Sequence, residues 1–343
     1  MNNPLLSVCI TTYNHSKYIK DAIEGVLKQK VNFLLEIIIA DDFSTDGTRE
    51  IILEYKTKYP GIIKLLLQEK NVGAAKNWLN LVTTPTSKYI AYFDGDDYWI
   101  DQNKLQKEVD FLETHPEYGL VHTDYLQYHE RRNKYLHVNR EPQSLCGDIF
   151  LAMLKINYNQ IITSTLVART LLINDSIQEL SDTLTKYEIG DYPMVLSIAS
   201  KSKIGYLNDV TSVYRILKES SSHSKDVRKS IGFRRATMDI IFAFSQRCQD
   251  DQKKEVEHGA RNFFFSKLIE DCLHHPEIVV ENLDELNLQT FSGATRLFHV
   301  YLQWTKGGLV AKIVSYCLNS RIYQKIIGLA KKAGTVGKSF SGK

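Results

Sequence analysis

Two periodicities alternate through the first hundred residues. Leu5–Thr12 is a short apolar, β-branched run, the pattern of a buried strand. Lys17–Lys28 follows, with Ile19, Ala22, Ile23, Val26 and Leu27 at helical spacing. Phe33–Ala40 predicts a second strand. Ser44 or Thr45 can cap a helix running to Tyr59, where Pro60-Gly61 stops it. Ile62–Leu67 reads as a third strand, Gly73–Val82 as a helix and Tyr89–Phe93 as a fourth strand. Apolar strands separated by helices predict an α/β fold, a mostly parallel sheet flanked by helices. Ligands of such sheets bind beyond the carboxyl ends of the strands. Candidate chemistry is therefore sought in 11–15, 41–46, 71–77 and 94–99.

The middle of the chain is less regular. Asp101–His115 has Leu105, Val109 and Leu112 on one helical face. Leu120–Tyr128 and Tyr135–Val138 flank a polar turn and predict a hairpin. A helix near Ile149–Leu154, a strand near Ile161–Val167 and a helix from Asp191 follow. The polar stretch Ser220–Ser224 is a natural boundary. The expected organisation is an α/β domain over 1–220 that holds the candidate chemistry, a helical region over 221–330 and a basic disordered tail over 331–343.

Composition narrows the class. The 343 residues are 43% hydrophobic and 24% charged, a globular balance. The net charge of +3 hides an asymmetry: residues 306–343 carry eight Lys or Arg and no acid, so residues 1–305 hold 35 basic against 40 acidic side chains. That balance, and aromatics more suited to helix packing, speak against a nucleic-acid partner. Apolar residues over 309–330 fall at helical spacing among Lys312, Arg321 and Lys325. Such a helix either lies on an anionic membrane surface or packs on the body. Five scattered cysteines with no CxxC pair oppose a disulfide framework or a zinc cluster. No leader and no run of the roughly 20 apolar residues a span needs is visible. The expectation is a cytoplasmic protein, or one peripheral on the inner face of the cell membrane.

Asp94-Gly95-Asp96-Asp97, directly after the fourth strand, is the strongest chemical feature. Three carboxylates in four residues repel one another, and a divalent cation among them relieves that repulsion. Hard oxygen ligands suit Mg²⁺ or Mn²⁺, which commonly bridges carboxylates to substrate phosphates. The alternative is a solvated acidic turn in which Asp97 caps the next helix. Asp42, after the second strand, can accept a base imide N–H or a ribose hydroxyl, or serve turn chemistry. Tyr13, after the first, offers a ring for stacking or belongs to the core.

SVCITTYNHSKYIKDAI, EIIIADDFSTDGT, NVGAAKNW and YIAYFDGDDYW together resemble the successive signatures of family 2 glycosyltransferases, which have the GT-A fold. The resemblance covers roughly 5–115 and, more loosely, continues to 217. It implies that Thr11 and Tyr13 line the nucleotide base and that Asp42 binds it. Asn77 falls near the nucleotide, Asp94 faces the ribose or supports the metal, Asp96 binds the cation, and Asp97 braces the loop. Gly95 falls at the variable place of the family's DxDD pattern. The family inverts: an acceptor hydroxyl attacks the anomeric carbon, a carboxylate takes its proton, and a nucleoside diphosphate leaves. Asp191 best matches that base, with Glu188 as rival because Gly190 replaces the family's usual adjacent Glu; Asp191 also suits an N-cap before Pro193. Arg215 either meets phosphate oxygens or forms a structural ion pair. The family's later His is missing at 216–218, and His223 is a weak substitute.

The implied activity moves a sugar from a UDP- or dTDP-sugar donor to a glycan or lipid-linked acceptor in bacterial surface polysaccharide synthesis. A sugar-1-phosphate nucleotidyltransferase would want a Gly-rich basic loop after the first strand, which 11–17 does not offer. A catalytically silent nucleotide-sugar-binding protein is the other alternative. GxGxxG and a P-loop are absent, which disfavours dinucleotide dehydrogenases and P-loop NTPases.

Overall fold

The computed structural model describes residues 3–137, 146–156, 160–180, 189–217 and 226–272. Glu188, His223 and the whole of 273–343, including the basic amphipathic segment and the tail, lie outside the described residues. The chain divides into two compact units, Met1–Ser221 with Asp239–Val256, and Ser222–Met238 with Glu257–Lys343.

In chain order the elements are β1 (Leu6–Thr12), α1 (Ile19–Leu27), β2 (Leu35–Asp41), α2 (Thr48–Lys58), β3 (Ile63–Leu67), α3 (Ala74–Val82), β4 (Tyr89–Asp94) and β5 (Tyr98–Trp99). They continue with α4 (Lys104–Thr114), β6 (Tyr118–His129), β7 (Lys134–His137), α5 (Phe150–Ile156), β8 (Leu166–Arg169), α6 (Thr170–Glu179), α7 (Asp191–Ala199) and β9 (Lys203–Ile216). Two helices follow, α8 (Val227–Ser245) and α9 (Asp250–Cys272). The sheet order is β3-β2-β1-β4-β8-β6-β9-β5, with β7 on β6.

β1 pairs in parallel with both β2 and β4, so the chain steps outward from β1 and returns on its other side. That reversal is where an α/β sheet opens a crevice. Beyond β4 the sheet stops being parallel. β8 runs antiparallel to β4 and β6, while β9 runs parallel to β6. The expected hairpin is present as β6 and β7.

Alternation along the parallel strands sorts two faces. Leu6, Val8 and Ile10 of β1, Ile37 and Ile39 of β2, and Tyr89, Ala91 and Phe93 of β4 share one buried cluster with Ile19, Ile23 and Val26 of α1. Right-handed crossovers put α1 and α2 on that face, and the returning α3 on the other. Cys9 on the second face is a buried free thiol, and burial pushes its pKa up.

Several local expectations shift. The strand expected at 161–167 begins only at Leu166, because Thr163–Thr165 forms a tight turn whose Thr165 hydroxyl donates to the Ile162 carbonyl at 2.6 Å. Helix α2 starts at Thr48 rather than after Ser44 or Thr45. Asp46 accepts from both the Thr48 N–H at 3.1 Å and its hydroxyl at 2.6 Å. Burial alone would raise the Asp46 carboxyl, but hydrogen bonds from Thr48 and Ser16 outweigh it and hold it at about 2.

Candidate active site

Three parallel strands end side by side, in registers that place Thr11 beside Ala40 on one side and Asp94 on the other. Thr11, Tyr92 and Asp94 lie on the face opposite the large core cluster. The Thr11 hydroxyl donates to Asp94 Oδ1 at 2.5 Å and the Tyr92 hydroxyl donates to the same oxygen at 2.9 Å. Burial, and then the charge of Asp96, raise the Asp94 carboxyl; Thr11, Tyr92 and the nearby His15 draw it back. Burial, with the Asp94 charge next, pushes the Tyr92 hydroxyl well above its ordinary value, and Asp191 adds to the same effect. Tyr92 was not singled out from sequence, although its spacing two before Asp94 puts it on the same face.

The loop Asp94–Asp97 is held from both sides. The Gly95 N–H donates to the Thr11 carbonyl at 2.7 Å. A Cβ at Gly95 would stand 2.9 Å from Ile19 Cδ1, 3.1 Å from the Thr11 carbonyl oxygen and 3.1 Å from Thr12 Oγ1. The position is variable in the family pattern, but here only glycine fits without a shift. Gly95→Ala is expected to cost about 1–3 kcal/mol in stability, the range for overpacking. An unchanged denaturant midpoint would refute the tight fit.

Asp97 is buried, and its Oδ1 accepts the Arg215 backbone N–H at 2.9 Å. Burial, followed by the Asp96 charge, pushes its carboxyl well above the usual range. The Arg215 side chain reaches around the same loop. It donates to the Asp96 carbonyl at 2.6 Å, pairs with Asp21 at 2.5 Å and lies over the Tyr98 ring at 4.3 Å. In this structure Arg215 braces the loop backbone, as a structural ion pair would.

Asp42 and Asn77 are both buried and both engaged. Asp42 accepts the Val72 N–H at 2.7 Å and the Gly73 N–H at 3.0 Å, which ties the loop before α3 to the end of β2. Asn77 donates to the Ala40 carbonyl at 3.0 Å and accepts from Gln68 at 3.1 Å. Tyr13, by contrast, is 45% exposed at the mouth of the crevice. Asn14 and Phe43, both at positive φ, turn the loops beyond β1 and β2 toward each other. Asn14 accepts the Thr45 N–H at 3.0 Å and donates its own N–H to the Ser44 hydroxyl at 2.9 Å.

Asp191 is the first residue of α7. Gly190 holds the cap position, so Asp191 is not the N-cap. Gly190 lies on the Trp78 indole: its missing Cβ would fall 2.8 Å from the ring. Trp78 meets Tyr92 edge-on at 6.2 Å between centroids. Across more than ninety residues of sequence, the Asp191 charge acts on the Tyr92 hydroxyl. Sequence reasoning quoted Trp78 within a motif but gave it no role. His15 lies in the candidate segment 11–15 but has no role legible from sequence; its ring Nδ1 is buried without a partner, and it draws the Asp94 carboxyl down.

The donor set fits a divalent cation. Among the described residues no hydrogen bond or ion pair engages the half-buried Asp96 carboxylate. No cluster of three or more metal-ligating side chains is present among them either. One or two carboxylates completed by substrate phosphate oxygens is the usual arrangement for Mg²⁺.

A mixed α/β sheet whose parallel half carries this acidic loop at its switch point is the GT-A architecture. The crystal structure of S. aureus TarS residues 1–349 in complex with UDP-GlcNAc aligns with 97% of this chain and 93% of that one, at TM-score 0.63 and 17% identity. The mannosyltransferase PcManGT from Pyrobaculum calidifontis, in complex with GDP-Man and Mn²⁺, aligns with 97% and 87% at TM-score 0.52 and 17% identity. Residues 7–172 match the model of Glycosyl transferase family 2, so this stretch carries a domain of that family. Escherichia coli WfaP, named a UDP-Glc:alpha-D-GlcNAc-diphosphoundecaprenol beta-1,3-glucosyltransferase, is 29% identical over 67% of this chain and 88% of its own. Mycobacterial proteins of unassigned function are 40% identical over 112 residues, and the matched stretch spans 32% of their length.

Proposed function

We propose that this protein is an inverting, metal-dependent glycosyltransferase that moves a hexosyl or N-acetylhexosaminyl group from a UDP- or dTDP-sugar to a hydroxyl of a glycan or lipid-linked acceptor. The observation that carries the reading is the open Asp96 carboxylate beside Asp94, at the end of β4, with the charge of Asp191, at the start of α7, acting on Tyr92. The donor and acceptor in the name of WfaP, and the UDP-GlcNAc complex of TarS, support a UDP-sugar and a place in surface polysaccharide synthesis. The Mn²⁺ complex of PcManGT supports a metal-dependent donor site. Attachment of 309–330 to an anionic membrane face belongs to the same proposal, since a lipid-linked acceptor sits there.

Asp94 and Asp96 would hold Mg²⁺ or Mn²⁺, which supplies positive charge against the departing diphosphate. Thr11 and Tyr92 fix the Asp94 carboxylate through their hydroxyls, so Asp94 needs no reorganisation when the ligand arrives. Tyr13 lies at the crevice mouth, where a base can stack on its ring. Asp191 takes the proton of the acceptor hydroxyl as that oxygen bonds to the anomeric carbon. The bond from that carbon to the diphosphate oxygen breaks with its electron pair, and the nucleoside diphosphate leaves.

Asp96→Ala tests the metal role. UDP affinity in Mn²⁺ is expected to fall about ten-fold or more. Calorimetry giving one affinity with and without Mn²⁺ in the parent protein would remove Asp96 from that role.

A further inference from the structure

Away from the nucleotide crevice, a cleft of about 780 Å³ runs between α1, the edge strand β5 and the β6–β7 hairpin. Its size is that of a small-molecule site, about 300–1,000 Å³. It lies on the α1 face of the sheet, whereas Trp78 and Gly190, which position Asp191, lie on the α3 face. The two sites are therefore on opposite sides of the sheet.

Three tyrosines form one aromatic wall. Tyr128 and Tyr135 pack at 4.8 Å between centroids, and the Tyr135 hydroxyl meets that of Tyr98 at 3.0 Å. Tyr135 is 51% exposed. The wall is pinned: Arg215 covers Tyr98, and the Tyr128 hydroxyl donates to Asn133 at 2.8 Å. The floor is pinned as well, because Gln29 donates to the Asp101 carbonyl at 2.8 Å and accepts the Leu105 N–H at 3.1 Å. Rigid tyrosines offer a large amphipathic contact at low entropic cost.

The charges lining the cleft cancel. Lys20, Lys28 and Arg215 face Asp21, Glu24 and Asp101. A site for a polyanion or a phosphate would carry an excess of one sign to focus its field. Mixed donors and acceptors beside an aromatic wall suit a ligand with polar hydroxyls along its edges and C–H groups on its faces. The negative faces of the rings attract such C–H groups.

We propose that this cleft is a second carbohydrate site, separate from transfer, that holds an uncharged stretch of glycan against Tyr98, Tyr128 and Tyr135. The choice of a glycan as ligand rests on the proposed function; the site itself does not. An occupant would touch Arg215, the side chain that holds the Asp96 carbonyl.

Native gels cast with laminarin, dextran, glucomannan or xyloglucan, with dextran sulfate as the anionic control, test the proposal on the full chain. At least one neutral polymer is expected to retard the protein. The double variant Tyr128→Ala/Tyr135→Ala should bind it about ten-fold or more weakly. Its melting temperature without ligand, and the rise given by UDP with Mn²⁺, should match the parent's, which separates loss of the cleft from loss of the fold. Failure of every neutral polymer, stronger retardation by dextran sulfate, or equal retardation of a folded double variant overturns the proposal. The UDP measurement reports on the nucleotide site independently of all three outcomes.

Discussion

Asp191→Asn is expected to lower sugar transfer about 10²–10⁴-fold, the contribution of a positioned general base. The melting-temperature rise produced by UDP with Mn²⁺ should be retained, because a ligand of the native state stabilises it through binding alone. The substitution is nearly isosteric. It keeps the start of α7, where Gly190 lies on Trp78, and removes the charge and the ability to take a proton. A catalytically silent binding protein would show the same thermal response before and after the change and no turnover in either. Glu188→Gln is the companion variant. Full turnover in Asp191→Asn with loss in Glu188→Gln would move the role to Glu188.

The second large effect concerns the floor beneath the acidic loop. Lys104 and Glu108, one turn apart on α4, pair at 2.6 Å, and neither side chain exposes any surface. Lys104 also lies over Trp99, 4.9 Å from the ring centroid, and Trp99 packs on Phe93 at 4.7 Å. Phe93 immediately precedes Asp94. Burial, opposed by the attraction of Lys104, pushes Glu108 up to about 7, and burial likewise lowers Lys104. Glu108 Oε1 has no hydrogen-bond partner. Lys104→Met therefore leaves a carboxylate buried and unpaired, at an expected cost of about 3–5 kcal/mol. The loss should shrink as the pH is lowered, because protonating Glu108 removes the buried charge. Lys104→Met/Glu108→Leu should recover most of the stability, since well-packed apolar residues replace a buried pair at little cost. Denaturant unfolding of both variants checks this, and a single variant within about 1 kcal/mol of the parent would sink the account.

Much of the donor side was legible in the linear order. The strands ending at Thr12, Asp41 and Asp94 follow from apolar runs bounded by polar loops, and their chemistry lies directly after them. What was not legible was which oxygen each side chain would meet. Asp42 reads as a nucleotide ligand or a turn residue, and its oxygens take the Val72 and Gly73 N–H groups about thirty residues away. Arg215 reads equally as a phosphate ligand or a brace, and only the return of β9 beside β5 brings it onto the Asp96 carbonyl. Tyr98 lies in a motif without a role of its own and Tyr135 lies in none; the hairpin alone brings their hydroxyls together.

Local pattern by itself determined the alternation of strand and helix, the parallel half of the sheet and the acidic loop at the end of β4. Each depends on neighbours within a few residues, through side-chain alternation and helical repeat. Tertiary structure alone decided that Gly95 has no room for a methyl, that Trp78 seats the start of α7 beside Tyr92, and that a balanced cleft opens on the other face. Those features are contacts between segments far apart in the chain, and packing density in a folded interior, not sequence spacing, sets them.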